Sequence, residues 1–196
     1  MEKNSLNIGL IGLGTVGLGV IDCLVKNRET ITLRAGREIK ISAICAKRKN
    51  KKRDFDLSKY RWVQDPLTIA SDDDIDVVVE LIGGENEPAK SIIERSLLNK
   101  KHVVTANKAL IAHNGHYLAL LAEEQKLSLN FEAAVAGGIP ILKILKESLC
   151  GNKVSRVYGV INGTCNYILT QMENEEEDFS KVFKQAQNLG YVEKDP

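Results

Sequence analysis

Residues 12–17 read Gly-Leu-Gly-Thr-Val-Gly, a G-x-G-x-x-G spacing that follows the apolar run of residues 6–11 without an intervening loop. Val16, Val20, Ile21 and Leu24 then recur at helical spacing. A strand that turns directly into a helix leaves the chain few options, and each glycine has a separate task in that turn. Gly12 allows the tight turn, Gly14 lets the backbone approach a pyrophosphate, and Gly17 lets the helix pack close to the sheet. Main-chain N–H groups at the helix start, those of Thr15 and Val16 among them, face the phosphate oxygens. The alternative is a glycine turn that binds nothing.

Further strand-like and helix-like stretches alternate along the chain. Residues 39–46 read as a second strand. Residues 76–82 are nearly continuous Val, Leu and Ile, the pattern of a parallel strand covered on both faces. Ala89, Ile92, Ile93 and Leu97 mark one face of a helix. A strand follows at 102–105, a helix at 113–126 and a strand at 127–131. This β-α-β-α order predicts an α/β fold, a doubly wound parallel sheet of Rossmann type, over residues 1–138. Beyond Pro140 the pattern changes. A helix is expected over 139–149, a strand over 154–161, and helices over 163–173 and 179–189, the last stopped by Gly190. One strand and three helices are too little for a finished domain, so residues 139–196 read as the start of an α+β substrate domain that is cut off.

Composition narrows the function classes. The chain is 43% hydrophobic and 27% charged with a net charge of +1, so no nucleic-acid or membrane partner is expected. The longest mostly apolar run, residues 133–142, is broken by Gly137, Gly138 and Pro140 and is far short of a membrane span. Cys23, Cys45, Cys150 and Cys165 are scattered without a C-x-x-C pair, which reads as reduced thiols in a cytoplasmic protein. The start of the chain carries no secretory pattern.

The end of the second strand bears on the cofactor. An NAD-preferring site usually places Asp or Glu there, on the ribose 2′-hydroxyl. This chain has Ala46-Lys47-Arg48, two cations and no carboxylate, which suits the 2′-phosphate of NADP, with NAD still open. The alternative is a solvated basic turn. The run of residues 47–53 is basic and that of 173–178 acidic, and such runs are more often solvated loops than sites.

Four segments carry a family resemblance: GLIGLGTVG at 9–17, VELIGG at 79–84, VTANKALI at 104–111, and FEAAVAGGIPI at 131–141, continued by INGTCNYIL at 161–169 and GYVEKDP at 190–196. Together they resemble homoserine dehydrogenase over the whole chain. The resemblance implies reversible NAD(P)H-dependent reduction of L-aspartate 4-semialdehyde to L-homoserine, on the way to threonine, methionine and isoleucine, by a homo-oligomer when full length. It places Lys108 at the active site, in contact with both cofactor and substrate. An ammonium at the carboxyl edge of a parallel sheet can polarise an aldehyde oxygen. It makes Glu193 the carboxylate that binds the substrate's amino group. It implies a monovalent cation such as sodium held by Glu132, Val135, Gly137 and Ile139 through main-chain carbonyls, oxygens that hard cations prefer. A plain strand-to-helix turn is the competing reading of those four residues.

Position 165 is Cys where the family usually has a small hydroxyl residue, at the start of an expected helix, a place that favours a thiolate. A thiol-dependent semialdehyde dehydrogenase therefore stands as an alternative enzyme. It would need a base, and the three histidines, His102, His113 and His116, all precede residue 117. Cys165 otherwise packs as a small hydrophobe. A non-catalytic NAD(P)H-binding redox sensor is the non-enzyme alternative.

Overall fold

The computed structural model describes residues 5–84 and 87–192 of the 196-residue chain. By contacts the chain divides into two compact units, Met1–Glu147 and Ser148–Pro196. The sequence pattern puts the change at 138/139; residues 139–147 pack with the first unit.

The first unit is built on β1 (Ser5–Ile11), α1 (Thr15–Lys26), α2 (Arg28–Ala35), β2 (Glu38–Cys45), β3 (Arg61–Trp62), α3 (Pro66–Ala70), β4 (Val77–Glu80), α4 (Ala89–Leu98), β5 (His102–Thr105), α5 (Lys108–Glu124), β6 (Leu129–Asn130), α6 (Glu132–Val135) and α7 (Ile141–Lys143). The six strands form one sheet in the order β3-β2-β1-β4-β5-β6, every pair parallel. This is the doubly wound arrangement the alternation predicts.

Strand alternation sorts side chains to the two faces. Leu10, Val77 and Val79 join Ile21 of α1 in one buried cluster, while Ile11, Val78 and Ile92 join Ile69 of α3 in another. Both faces are covered, which is why residues 77–82 are apolar apart from Glu80. A third cluster, including Ile93, Leu97, Val103, Leu110 and Leu118, packs α4 and α5 over β5 and β6.

Three elements have no clear periodic signal. α2 buries no residue and ends on Gly36 in the left-handed region. β3 is a two-residue edge strand. α3 has Pro at its first turn and is capped by the Asp65 carboxylate, which accepts from the Leu67 N–H. The helix expected from residue 113 begins at Lys108, because the Asn107 side chain caps it there. The helix expected over 139–149 is instead the short α7 followed by a π-helical turn, Ile144–Ser148.

The second unit contains α8 (Gly163–Glu175) and α9 (Phe179–Asn188), which meet around Ile168, Val182 and Ala186. The strand expected over 154–161 does not form, and among the described residues this unit has no strand. The cause is pairing: a run of strand character becomes a strand only where another strand accepts its hydrogen bonds. Among the described residues, no helix is long and apolar enough to cross a membrane.

Candidate functional site

The carboxyl ends of β1, β2 and β4 open onto a cleft of about 730 Å³ that includes Gly12, Gly14, Lys47, Arg48, Ile82 and Gly83 in its walls. It lies where the chain order of the sheet reverses, β2 on one side of β1 and β4 on the other. Such a switch point is where open parallel sheets take ligands.

The three motif glycines occupy different environments. Gly12 has φ +104°, donates its N–H to the Cys45 carbonyl (2.8 Å), and a Cβ on it would stand 2.5 Å from the Leu81 carbonyl oxygen. A Cβ on Gly17 would meet the Gly12 carbonyl oxygen at 2.0 Å. Gly14 is exposed, and a Cβ there would meet nothing within 4 Å. The first two are needed for packing within the turn, whereas Gly14 faces open space. Gly14 is also the N-cap of α1, which has no side-chain cap and no acid in its first turn. Thr15 and Val16 follow in that turn, both exposed, so the helix start presents main-chain donors and a positive dipole end.

Lys47 and Arg48 stand exposed just past β2 and line the same cleft. Arg53 organises the turn they belong to. Its guanidinium donates to the carbonyls of Arg48 (2.8 Å), Lys49 (3.2 Å) and Lys51 (3.0 Å) and to that of Leu13 in the glycine turn (3.3 Å). It also lies 5.7 Å from the Trp62 ring centroid. Sequence reading passes over Arg53, because bonds to main-chain carbonyls leave no trace in residue spacing. Cys45 also lines the cleft; burial foremost, and then the Asp65 carboxylate, push its thiol up to about 11, so it is no ready nucleophile.

At the ends of β4 and β5, buried Glu80 accepts hydrogen bonds from the Ile82 N–H (2.7 Å) and the Thr105 hydroxyl (2.6 Å). Asn107 donates its N–H to Thr105 Oγ1 (3.0 Å) and its side-chain amide to the Gly84 carbonyl (2.7 Å). Its Oδ1 accepts from the Leu110 N–H (3.1 Å), starting α5 with Lys108 as its first residue. Lys108 is exposed on the carboxyl edge of the sheet, two strands from β1, and does not itself line the cleft.

The other expected site residues are placed as follows. Glu132 begins α6, and its carboxylate accepts from the N–H groups of Leu142 and Lys143, both at 2.9 Å. Its carbonyl accepts from Ala136, and that of Ile139 from Ile141. Val135 ends α6, and Gly137 follows it in an exposed turn. Among the described residues, no three His, Cys, Asp or Glu side chains converge as metal ligands. Cys165 is exposed in the first turn of α8, its N–H bonded to Asn162 Oδ1 (2.9 Å). Glu193 lies outside the described residues.

Residues 12–132 match the NAD binding domain of homoserine dehydrogenase, and residues 140–196 match the family's homoserine dehydrogenase domain. The chain belongs to the homoserine dehydrogenase family. It is 48% identical over 191 residues to the homoserine dehydrogenase of Neisseria gonorrhoeae, covering 97% of this chain and 43% of that protein. A homoserine dehydrogenase structure from Thiobacillus denitrificans superposes with a TM-score of 0.89 at 44% identity, covering 98% of this chain and 44% of that one. A hyperthermophilic archaeal homoserine dehydrogenase mutant in complex with NADPH superposes with a TM-score of 0.79 at 25% identity, covering 98% of this chain and 63% of that one. The chain thus spans less than half the length of the curated homoserine dehydrogenase it matches here. Its first unit carries the family's NAD binding domain, with the glycine turn of residues 12–17 at the switch point.

Proposed function

We propose that the protein carrying this chain is an NADP-preferring homoserine dehydrogenase that interconverts L-aspartate 4-semialdehyde and L-homoserine, in the synthesis of threonine, methionine and isoleucine. The observation that carries the reading is the open face of Gly14 at the uncapped start of α1, within residues matched to the family's NAD binding domain. Family membership also ranks this reading above a Cys165 thiol enzyme or a redox sensor.

The residues fit a dinucleotide. Gly14 and the first turn of α1 take the pyrophosphate. Lys47 and Arg48 pair with a 2′-phosphate, and the archaeal relative's complex with NADPH supports a nicotinamide dinucleotide as the ligand. A nicotinamide held there would supply or accept the hydride. Lys108 holds its ammonium toward the carbonyl oxygen and stabilises the negative charge that grows there. Glu193 takes the substrate's ammonium group. Main-chain carbonyls of Glu132, Val135, Gly137 and Ile139 hold a monovalent cation, for which hard oxygen donors are the suitable chemistry.

The test is an assay of both reaction directions in a protein of full family length containing this sequence. NADPH-dependent loss of the semialdehyde is expected. A folded protein that binds NADPH but turns over neither homoserine nor the semialdehyde would overturn the reading. Lys108→Ala is expected to lower turnover by about 100- to 1,000-fold, as when one transition-state donor is lost, with NADPH affinity little changed. Near-wild-type turnover in that variant removes Lys108 from the chemistry.

A further inference from the structure

Glu80 is the last residue of β4 and is fully buried. A carboxylate without access to water is costly unless its oxygens are bonded, and here both are. The partners are not needed to join the strands. β4 and β5 are already paired over Val77–Glu80 and His102–Thr105. What the carboxylate adds lies beyond the ladder. One oxygen takes the Ile82 N–H, in a turn that walls the dinucleotide cleft, and the other takes the Thr105 hydroxyl.

The second bond continues into α5. Thr105 Oγ1 accepts from the Asn107 N–H, so its single proton is directed to Glu80, because a carboxylate only accepts. Asn107 then bonds Gly84 in the β4 turn and the Leu110 N–H in the first turn of α5. In the chain, Lys108 lies between Asn107 and Leu110. The order of donation is therefore fixed, and every step bears on the turn after β4 or on the start of α5.

We propose that Glu80, acting through Thr105 and Asn107, is a positioning residue that sets Lys108 against the turn lining the dinucleotide cleft. The proposal rests on the reading of Lys108 as the group that polarises the carbonyl oxygen. It predicts sensitivity to a nearly isosteric change. Glu80→Gln retains one acceptor where two donors must be met, so either the Ile82 N–H or the Thr105 hydroxyl loses its partner. Thr105→Val keeps the shape and leaves the Asn107 N–H and one Glu80 oxygen unbonded, whereas Thr105→Ser keeps the hydroxyl.

The experiment uses a protein of full family length. E80Q and T105V are expected to lower kcat by about 10- to 100-fold, the scale of a misplaced reacting group, with the KM for NADPH within about threefold. T105S is expected to recover most of the loss seen in T105V. In a K108A background, E80Q is expected to add little, because groups that act as a unit are not additive. The same factor of loss with and without Lys108, or T105S as impaired as T105V, overturns the proposal. Wild-type protein that binds NADPH without turnover defeats the functional reading instead. In that event amide exchange still decides: E80Q and T105V should speed exchange at residues 107–110 by about tenfold or more, as expected when a local structure opens more readily, and unchanged exchange overturns the proposal.

Discussion

Residues 39–46 and 154–161 look alike as sequence, each a short apolar stretch of strand character, yet they end in different structures. The first becomes β2, flanked by β1 and β3, with Ala43 and Ile44 fully buried. The second forms no strand, and Val157, Tyr158, Val160 and Ile161 stand 60–87% exposed. The same contrast separates the two units. The first covers both faces of a six-stranded sheet, whereas the second buries Ile168, Val182 and Ala186 between two helices. Strand propensity is thus conditional on a partner edge, while an amphipathic helix needs only a surface to pack on.

The sharpest way to break this comparison is Ile92→Ala. Ile92 is fully buried beneath the sheet, and its truncation should destabilise the first unit by about 2–5 kcal/mol. Amide protection in α8 and α9 should stay as it was; a matching loss there would show that the two units unfold together. Next in size is the basic turn. Lys47→Ala or Arg48→Ala should weaken NADP binding by about 1.5–3 kcal/mol, the range for a charge-assisted hydrogen bond, and leave NAD nearly unchanged. Equal losses by titration calorimetry would show that the turn does not read the 2′ position.

Gly17→Ala and Gly14→Ala sharpen the contrast inside one motif. The first forces a Cβ against the Gly12 carbonyl and should cost about 1–3 kcal/mol in urea denaturation. The second meets nothing, so stability should shift by no more than about 0.5 kcal/mol while dinucleotide affinity falls. Undiminished NADPH binding in Gly14→Ala would undo its assignment to the pyrophosphate. The effect confined to alkaline pH belongs to Cys45. Its thiol is held up at about 11 against an ordinary 9.0, so the fold favours the neutral form. That contribution is complete below pH 9 and declines as pH rises through 9 toward 11. Cys45→Ala should remove this part of the alkaline decline in the urea midpoint, and an unchanged slope would refute it.

Much of this was legible because certain residues have narrow physical uses. Gly12 and Gly17 stand where any side chain would collide with main chain, so their spacing announces the turn. The Val run of β4 announces a strand covered on both faces. α2 was not legible, since it buries nothing and so has no apolar face to read. The Glu80–Thr105 bond joins residues 25 apart on neighbouring strands, a pairing that follows only once the strand order is known. The chain's 139–149 segment showed helical spacing but broke into a short helix and a π-helical turn, with Glu132 bonded to its first N–H groups.

Arg53 has a consequence for anyone transplanting cofactor preference between relatives. Its one guanidinium fastens the basic turn to itself through three carbonyls and to the glycine turn through the Leu13 carbonyl. On the dinucleotide reading proposed above, the pyrophosphate and, farther out, the 2′-phosphate would be held by a single module. Exchanging residues 47 and 48 alone would change the charges at the far end and retain the frame that aims them. A graft that lacks residue 53 would carry the charges and lose their aim, so the unit of exchange runs from residue 46 through residue 53.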